Sequence, residues 1–381
     1  MPMQAMEKLT AHLKNRLAEL SRAKEEGQKI IGYTPGGYLP EELVLASGAI
    51  PIGLVRGGDH SMVELAGAYI CRWIDTFCRA QIGYGISGED PYYNILDLLV
   101  MPVTDNHIRA VMDVLDYNTD LDIFPFGVPH MKEETSMDYY LHGITRVKAK
   151  LEDLTGVEIT DSKLKEAIQF CNKERELLRK ISLTRRSERV PLGSKQFVAL
   201  NHGSFLADKG IMVKLLESFC QELEHQSPPP QKGPRILLTG STLAQGDSKI
   251  LDLIEEAGGI VVVEEFAEGI RPYWEDVKLD GDLMAALADC HFMRRVPPAW
   301  FRPGKERLEF LVQLATDFNV TGVIWYQLMY RESYKLESFY FPDILKRETG
   351  LPMLTVESDY EPEETGVLRT RIEAFLETIR E

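Results

Sequence analysis

The chain has no Cys-x-x-Cys pair, no His-x-x-x-His pair and no Gly-x-Ser-x-Gly elbow. The first absence removes the usual local spacing of zinc and iron–sulfur ligands. The second removes a helical two-histidine metal site, and the third the strained serine nucleophile of hydrolases. There is no apolar run of about 18 residues, so no membrane span is expected. Nor is the charged, helical N-terminus a signal peptide. Five cysteines (Cys71, Cys78, Cys171, Cys220, Cys290) in 381 residues do not make a disulfide framework, and a reducing, cytoplasmic compartment is expected. A net charge of −16, from 43 basic and 59 acidic side chains, disfavours nucleic acid and anionic membrane surfaces as partners.

What is present reads as α/β. Leu9, Leu13, Leu17 and Leu20 mark a first helix. Residues 29–33 form a short apolar run ending in the turn residues Thr34, Pro35, Gly36 and Gly37, as a buried strand would. Pro40-Glu41-Glu42 opens a helix, and residues 50–54 and 96–101 supply two more strands. Strand, helix, strand, helix, strand implies a parallel sheet. Residues 136–182 turn helical, with a start at Thr160-Asp161 and one face marked by Leu164, Ile168, Cys171 and Leu178. A further helix runs over 208–225.

The proline run after Ser227 is the best domain boundary. Beyond it, strands at 235–239, 260–264, 322–326 and 353–357 alternate with helices at 248–256, 306–318, 341–349 and 366–381. The expected architecture is therefore two Rossmann- or flavodoxin-like parallel-sheet domains joined by a helical segment. The first sheet, with the N-terminal helix, spans 1–135, the helical connection 136–227 and the second sheet 228–381. Ligands of such sheets bind at the carboxyl ends of strands, which directs attention to the loops after Tyr33, Met101, Thr239 and Tyr326.

Gly240-Ser241-Thr242 follows a strand but lacks the lysine and glycine spacing of a phosphate loop, so it reads as a structural turn. His107 stands at a strand end behind Thr104-Asp105-Asn106; a helix-capping role for Thr104 or Asp105 competes there with a chemical one. Cys71 and Cys78, seven apart, would share one helix face and are read as packing residues before metal ligands. Trp73, Phe77, Tyr84, Tyr92 and Tyr93 make this stretch aromatic, as a core or as the wall of an acyl pocket.

Several stretches in order resemble the 2-hydroxyacyl-CoA dehydratase and benzoyl-CoA reductase family, in its smaller-subunit, 2-hydroxyglutaryl-CoA dehydratase D-component type. They are residues 29–32, Pro40-Glu41-Glu42-Leu43, Gly48-Ala49-Ile50-Pro51, 75–85, 97–105, 258–264, 322–333, and Gly350-Leu351-Pro352 through 369–375. The resemblance implies paired parallel-sheet domains and dimeric or heterodimeric assembly. It also implies a 4Fe–4S cluster held by three cysteines per subunit, with an ATP-dependent activator protein that delivers a low-potential electron. The acyl-CoA ester is then dehydrated or reduced.

Carried over by position, the three cysteines fall on Asp75, Thr104 and Arg331, with a small shift placing the first on Cys71 or Cys78. Threonine and arginine do not replace thiolate as iron ligands. The expectation is that no cluster is held in this chain and that a cysteine-rich partner subunit holds it. Asp75, Arg331 and Thr104 would then pair where the ligands stood. Glu41, Glu42, Asp105, His107 and Glu332 are the other candidates for the cleft. Two readings stay open beside this one. A stand-alone acyl-CoA or small-molecule binding protein would use Arg331, Thr104 and His107, and a homodimer would share a cluster through Cys71 or Cys78.

Overall fold

The computed structural model describes residues 3–34, 36, 38–226 and 229–380. Pro35, Gly37, and Ser227 and Pro228 of the expected boundary lie outside the described residues. Among the described residues eight strands form two four-stranded sheets, parallel throughout. The first contains β1 (Ile30–Tyr33), β2 (Ile50–Gly53), β3 (Leu98–Val103) and β4 (Ile123–Gly127). The second contains β5 (Arg235–Gly240), β6 (Ile260–Glu265), β7 (Gly322–Leu328) and β8 (Met353–Ser358). Their orders are β2-β1-β3-β4 and β6-β5-β7-β8. The central strands are continuous apolar runs because helices cover both faces of a parallel sheet. Accordingly β1 and β7 are buried along their whole length.

β4 was not anticipated. It is an edge strand, only partly buried, and Pro125 interrupts its apolar pattern. The helix expected at 341–349 instead spans Glu332–Thr349 and passes through Pro342. Proline forfeits one backbone bond there, but Tyr334, Glu337, Phe341 and Leu345 bury one stripe of the helix and hold it together. Gly83, Gly85 and Gly88 have the spacing of a dinucleotide fingerprint, yet they lie within the helix Thr76–Ser87 and at its end. A Cβ on Gly83 would stand 2.2 Å from the Met62 carbonyl oxygen, so this glycine serves close helix packing.

One apolar cluster contains Ile30, Leu99 and Met101 of the first sheet together with Ile236, Leu238 and Ile324 of the second. The outer face of the first sheet packs on the helices Glu134–Thr155 and Asp161–Leu183. The outer face of the second packs on Ser194–Ser204, Lys209–Glu224 and Lys305–Asp317. The first helix, Gln4–Glu25, is tied to the connecting helices by Arg16 Nε donating to the Leu206 carbonyl at 2.9 Å. Lys24 Nζ reaches the Ile95 carbonyl at 2.8 Å and so ties the same helix to the first sheet. Among the described residues no helix is long and apolar enough to cross a membrane.

Gly240 ends β5 with φ +148°, where a Cβ would lie 1.5 Å from the Tyr326 carbonyl oxygen. Gly240→Ala is expected to cost more than about 3 kcal/mol, read as a fall in the denaturant midpoint. An unchanged midpoint would contradict the close approach of β5 and β7 on which the following loop depends.

Candidate functional site

In a sheet of order 2-1-3-4 the chain reverses its winding direction between β1 and β3, and a crevice opens at the carboxyl ends of those strands. Here the two sheets turn their crevices toward one cleft. Thr34 follows β1, Thr104 follows β3, Ser241 follows β5 and Arg331 follows β7, and all four line it. These are the four loops expected from strand order alone.

Arg331 is the centre of one wall. Its Nη2 donates to Asp105 Oδ2 at 2.6 Å, and its Nη1 lies 3.8 Å from Asp75 Oδ1 and 3.6 Å from Cys78 Sγ. Each carboxylate is held by a helix start. Asp75 caps the helix Thr76–Ser87 by accepting from the Cys78 N–H at 2.9 Å. Asp105 caps Asn106–Asn118 by accepting from the His107 and Ile108 N–H groups at 2.9 and 3.1 Å. Burial raises the Asp105 carboxyl, but Arg331 and those N–H groups outweigh it and hold it below the ordinary value. Burial likewise works against the Arg331 charge, and Asp105 with Asp75 more than reverses this.

Asp75, Thr104 and Arg331 thus stand at one place. The Thr104 hydroxyl donates to Asp105 Oδ2 at 3.2 Å. His107 adds a second tie. Its Nδ1 accepts from the Asp75 N–H at 3.0 Å, so the ring proton sits on Nε2 and donates to Glu332 Oε2 at 3.0 Å. Glu332 is exposed.

The structure does not bring Glu41 and Glu42 to this wall. Glu42 is fully buried against Arg175 and His291, and Glu41 pairs with Lys209 at 2.6 Å and accepts from Tyr33. The shared helix face expected for Cys71 and Cys78 is also corrected. The Asp75 cap starts the helix only at Thr76, leaving Cys71 exposed in the preceding loop and Cys78 buried beside Arg331. Of the aromatics, Phe77, Tyr84 and Tyr93 are buried while Trp73 is exposed, edge-on to Tyr330 at 5.3 Å. Only Phe77 of that group lines the cleft.

Sequence reasoning missed the opposite wall: Glu268, Arg271 and Arg295. Arg271 Nε donates to Glu265 Oε1 at 2.5 Å, and Glu265 also receives Arg307 at 3.2 Å and the Thr239 hydroxyl at 2.6 Å. Glu268 is 1% exposed, and burial pushes its carboxyl up to about 8. One available signal was the charged stretch Glu264-Glu265 at the end of an apolar strand, where buried carboxylates need partners.

A family model described as 2-hydroxyglutaryl-CoA dehydratase, D-component, matches residues 37–379. The chain belongs to that family. It is 26% identical over 361 residues to YjiM of Escherichia coli (strain K12), a provisionally named dehydratase subunit, covering 93% of each chain. It is 24% identical over 365 residues to the (R)-phenyllactyl-CoA dehydratase beta subunit of Clostridium sporogenes, covering 94% of each. With a benzoyl-CoA reductase subunit of Thauera aromatica the identity is 23% over 271 residues, covering 69% of this chain and 68% of the other.

The 4Fe–4S cluster implied by the family resemblance can be tested against the donors present. Among the described residues no group of three or more His, Cys, Asp or Glu side chains is placed to hold a metal ion. Cys78 is the one cysteine at the Arg331 wall among the described residues. It lies 3.6 Å from the Arg331 guanidinium, and burial, then Asp75, raises its thiol well above the ordinary value. These residues do not fit a cluster of the dehydratase type.

Arg331→Ala would leave Asp75 and Asp105 facing one another unpaired, at a cost of about 3–5 kcal/mol. Adding Asp105→Asn, which keeps the helix cap, should recover part of that loss in denaturant melts; no recovery would show that the pair does not carry it. For Glu268 the sign follows from its raised carboxyl. Between the ordinary 4.5 and about 8 the folded chain holds a proton that the unfolded chain releases, so stability falls as pH rises through that window. Glu268→Gln cannot ionise, so its melting temperature should gain on the wild type from pH 5 to pH 8. A constant difference across that range would mean an ordinary carboxylate.

Proposed function

We propose that this chain is a subunit of a 2-hydroxyacyl-CoA dehydratase or benzoyl-CoA reductase type complex that carries no 4Fe–4S cluster of its own. A cysteine-rich homologous subunit would hold the cluster and receive the electron from an ATP-dependent activator. This chain would contribute the subunit interface and part of the acyl-CoA cleft. Family membership and relatives named as beta subunits of acyl-CoA dehydratases support the assembly.

The observation that carries the cluster-free reading is the Arg331 guanidinium between Asp105 and Asp75. A permanent cation paired with two carboxylates fills the place where the resemblance expects thiolates, and arginine does not coordinate metal. The exposed Leu336, Phe339 and Tyr340 on the helix that follows Arg331, with exposed Trp73 beside Tyr330, support a partner surface on this side.

Prepared anaerobically, the isolated chain should be colourless and iron-free, and it should form a stoichiometric complex with a homologue containing all three cysteines. Iron at about four atoms per chain surviving desalting would overturn the cluster-free reading. A monomer that ignores such a homologue would favour the stand-alone binding protein instead. A gain-of-function test sharpens this. Thr104→Cys with Arg331→Cys would join native Cys78 to make three thiols, and anaerobic iron–sulfide reconstitution should then give visible absorption that neither single variant shows.

A further inference from the structure

Three buried polar side chains on the wall opposite Arg331 have atoms without hydrogen-bond partners: Nε and Nη2 of Arg295, Nη2 of Arg271 and Oε2 of Glu268. All three residues line the same cleft and are 4%, 4% and 1% exposed. An orphaned buried polar atom carries its full desolvation cost, and four of the twelve found among the described residues belong to these three side chains. Arg271 is accounted for in charge by Glu265. Arg295 is not.

Among the described residues Arg295 makes no side-chain hydrogen bond and no ion pair; its guanidinium lies over the Tyr38 ring at 5.4 Å. The ionisable groups that bear on it most are Tyr38, Cys290, Tyr140 and Arg271, none of them a carboxylate. Burial draws its pKa below the ordinary arginine value, yet arginine stays charged in proteins. Its backbone is pinned as well, because Lys132 Nζ donates to the Arg295 carbonyl at 2.6 Å. The protein therefore holds one uncompensated guanidinium at the cleft, which costs stability unless something anionic completes it.

We propose that Arg295, with Glu268 and Arg271, forms a receptor for a carboxylate carried on a short-chain ligand. A planar guanidinium matches a carboxylate with two parallel hydrogen bonds. Glu268 accepts from the Leu243 N–H through Oε1, and its protonated Oε2 is free to donate to a second anionic oxygen. A single unmatched positive charge suits a monoanionic group, and the apolar Phe77, Ile108 and Val296 suit a short carbon chain beside it. A phosphate dianion would leave a negative charge buried. The ligand source is either a free small carboxylate or an acyl-CoA whose acyl chain ends in one. Only the second source rests on the acyl-CoA reading above.

Titration calorimetry on the full chain separates these cases, with butyrate, succinyl-CoA, butyryl-CoA and inorganic phosphate as probes. Butyrate or succinyl-CoA should bind, and Arg295→Met should weaken that binding about tenfold or more. Arg295→Met should also melt at a higher temperature than the wild type, because it removes an unpaired buried charge. A structural arginine would instead lose stability, so this readout separates the roles. Butyrate bound where neither thioester binds sustains the receptor and counts against the acyl-CoA reading. Equal binding of succinyl-CoA and butyryl-CoA, unaffected at Arg295, overturns the receptor and leaves the acyl-CoA reading intact. Phosphate binding in place of butyrate, or no binding of any probe at millimolar concentration, overturns the proposal.

Discussion

The cleft between the two sheets is governed by one electrostatic constraint: a charge withdrawn from water there must meet its opposite or remain a standing cost. Arg331 meets this constraint with two carboxylates, each already fixed by capping a helix. That double use makes the arrangement stiff. Asp75 and Asp105 cannot turn away from Arg331 without releasing the N–H groups of the first helical turns. His107 closes the loop by joining the Asp75 backbone to Glu332 at the start of the next helix. The first and second halves of the chain are therefore locked at the cleft by pairs spanning well over two hundred residues of sequence.

The far wall is built differently. Glu265 serves both Arg271 and Arg307 and takes the Thr239 hydroxyl as well. This network holds the ends of β5 and β6 to the helix Lys305–Asp317, and Glu337 extends it to the helix Glu332–Thr349. Arg295 stands outside it. The two walls thus differ in kind: the Arg331 cation faces two carboxylates, whereas the Arg295 guanidinium has no ion-pair partner among the described residues. A cleft organised this way is predisposed to take its ligand from the second side.

The chain matches the 2-hydroxyglutaryl-CoA dehydratase D-component model over residues 37–379, while the donors at the Arg331 wall are set by its own loops. Among the described residues Cys78 is the one thiol there, buried beside an arginine and two acids. Sheet and helix packing do not depend on what such loops hold, so one fold can carry different groups at this place.

Much of the frame was legible in the residues. Apolar runs such as Ile30-Ile31 and Val323-Ile324-Trp325 mark strands buried on both faces, and their alternation with amphipathic helices dictates a parallel sheet and its ligand-bearing end. That Thr104 and Arg331 offer no thiolate was equally plain, since it depends only on which atoms a side chain carries. Other features needed three dimensions. Whether Cys71 or Cys78 reaches the site turned on where the Asp75 cap begins a helix. The isolation of Arg295 is a property of everything around it, and no pattern along the chain records a missing neighbour. Composition and periodicity settle what most segments are, edge strand β4 excepted, whereas the pairing of charges more than 200 residues apart is decided only when the fold brings them together.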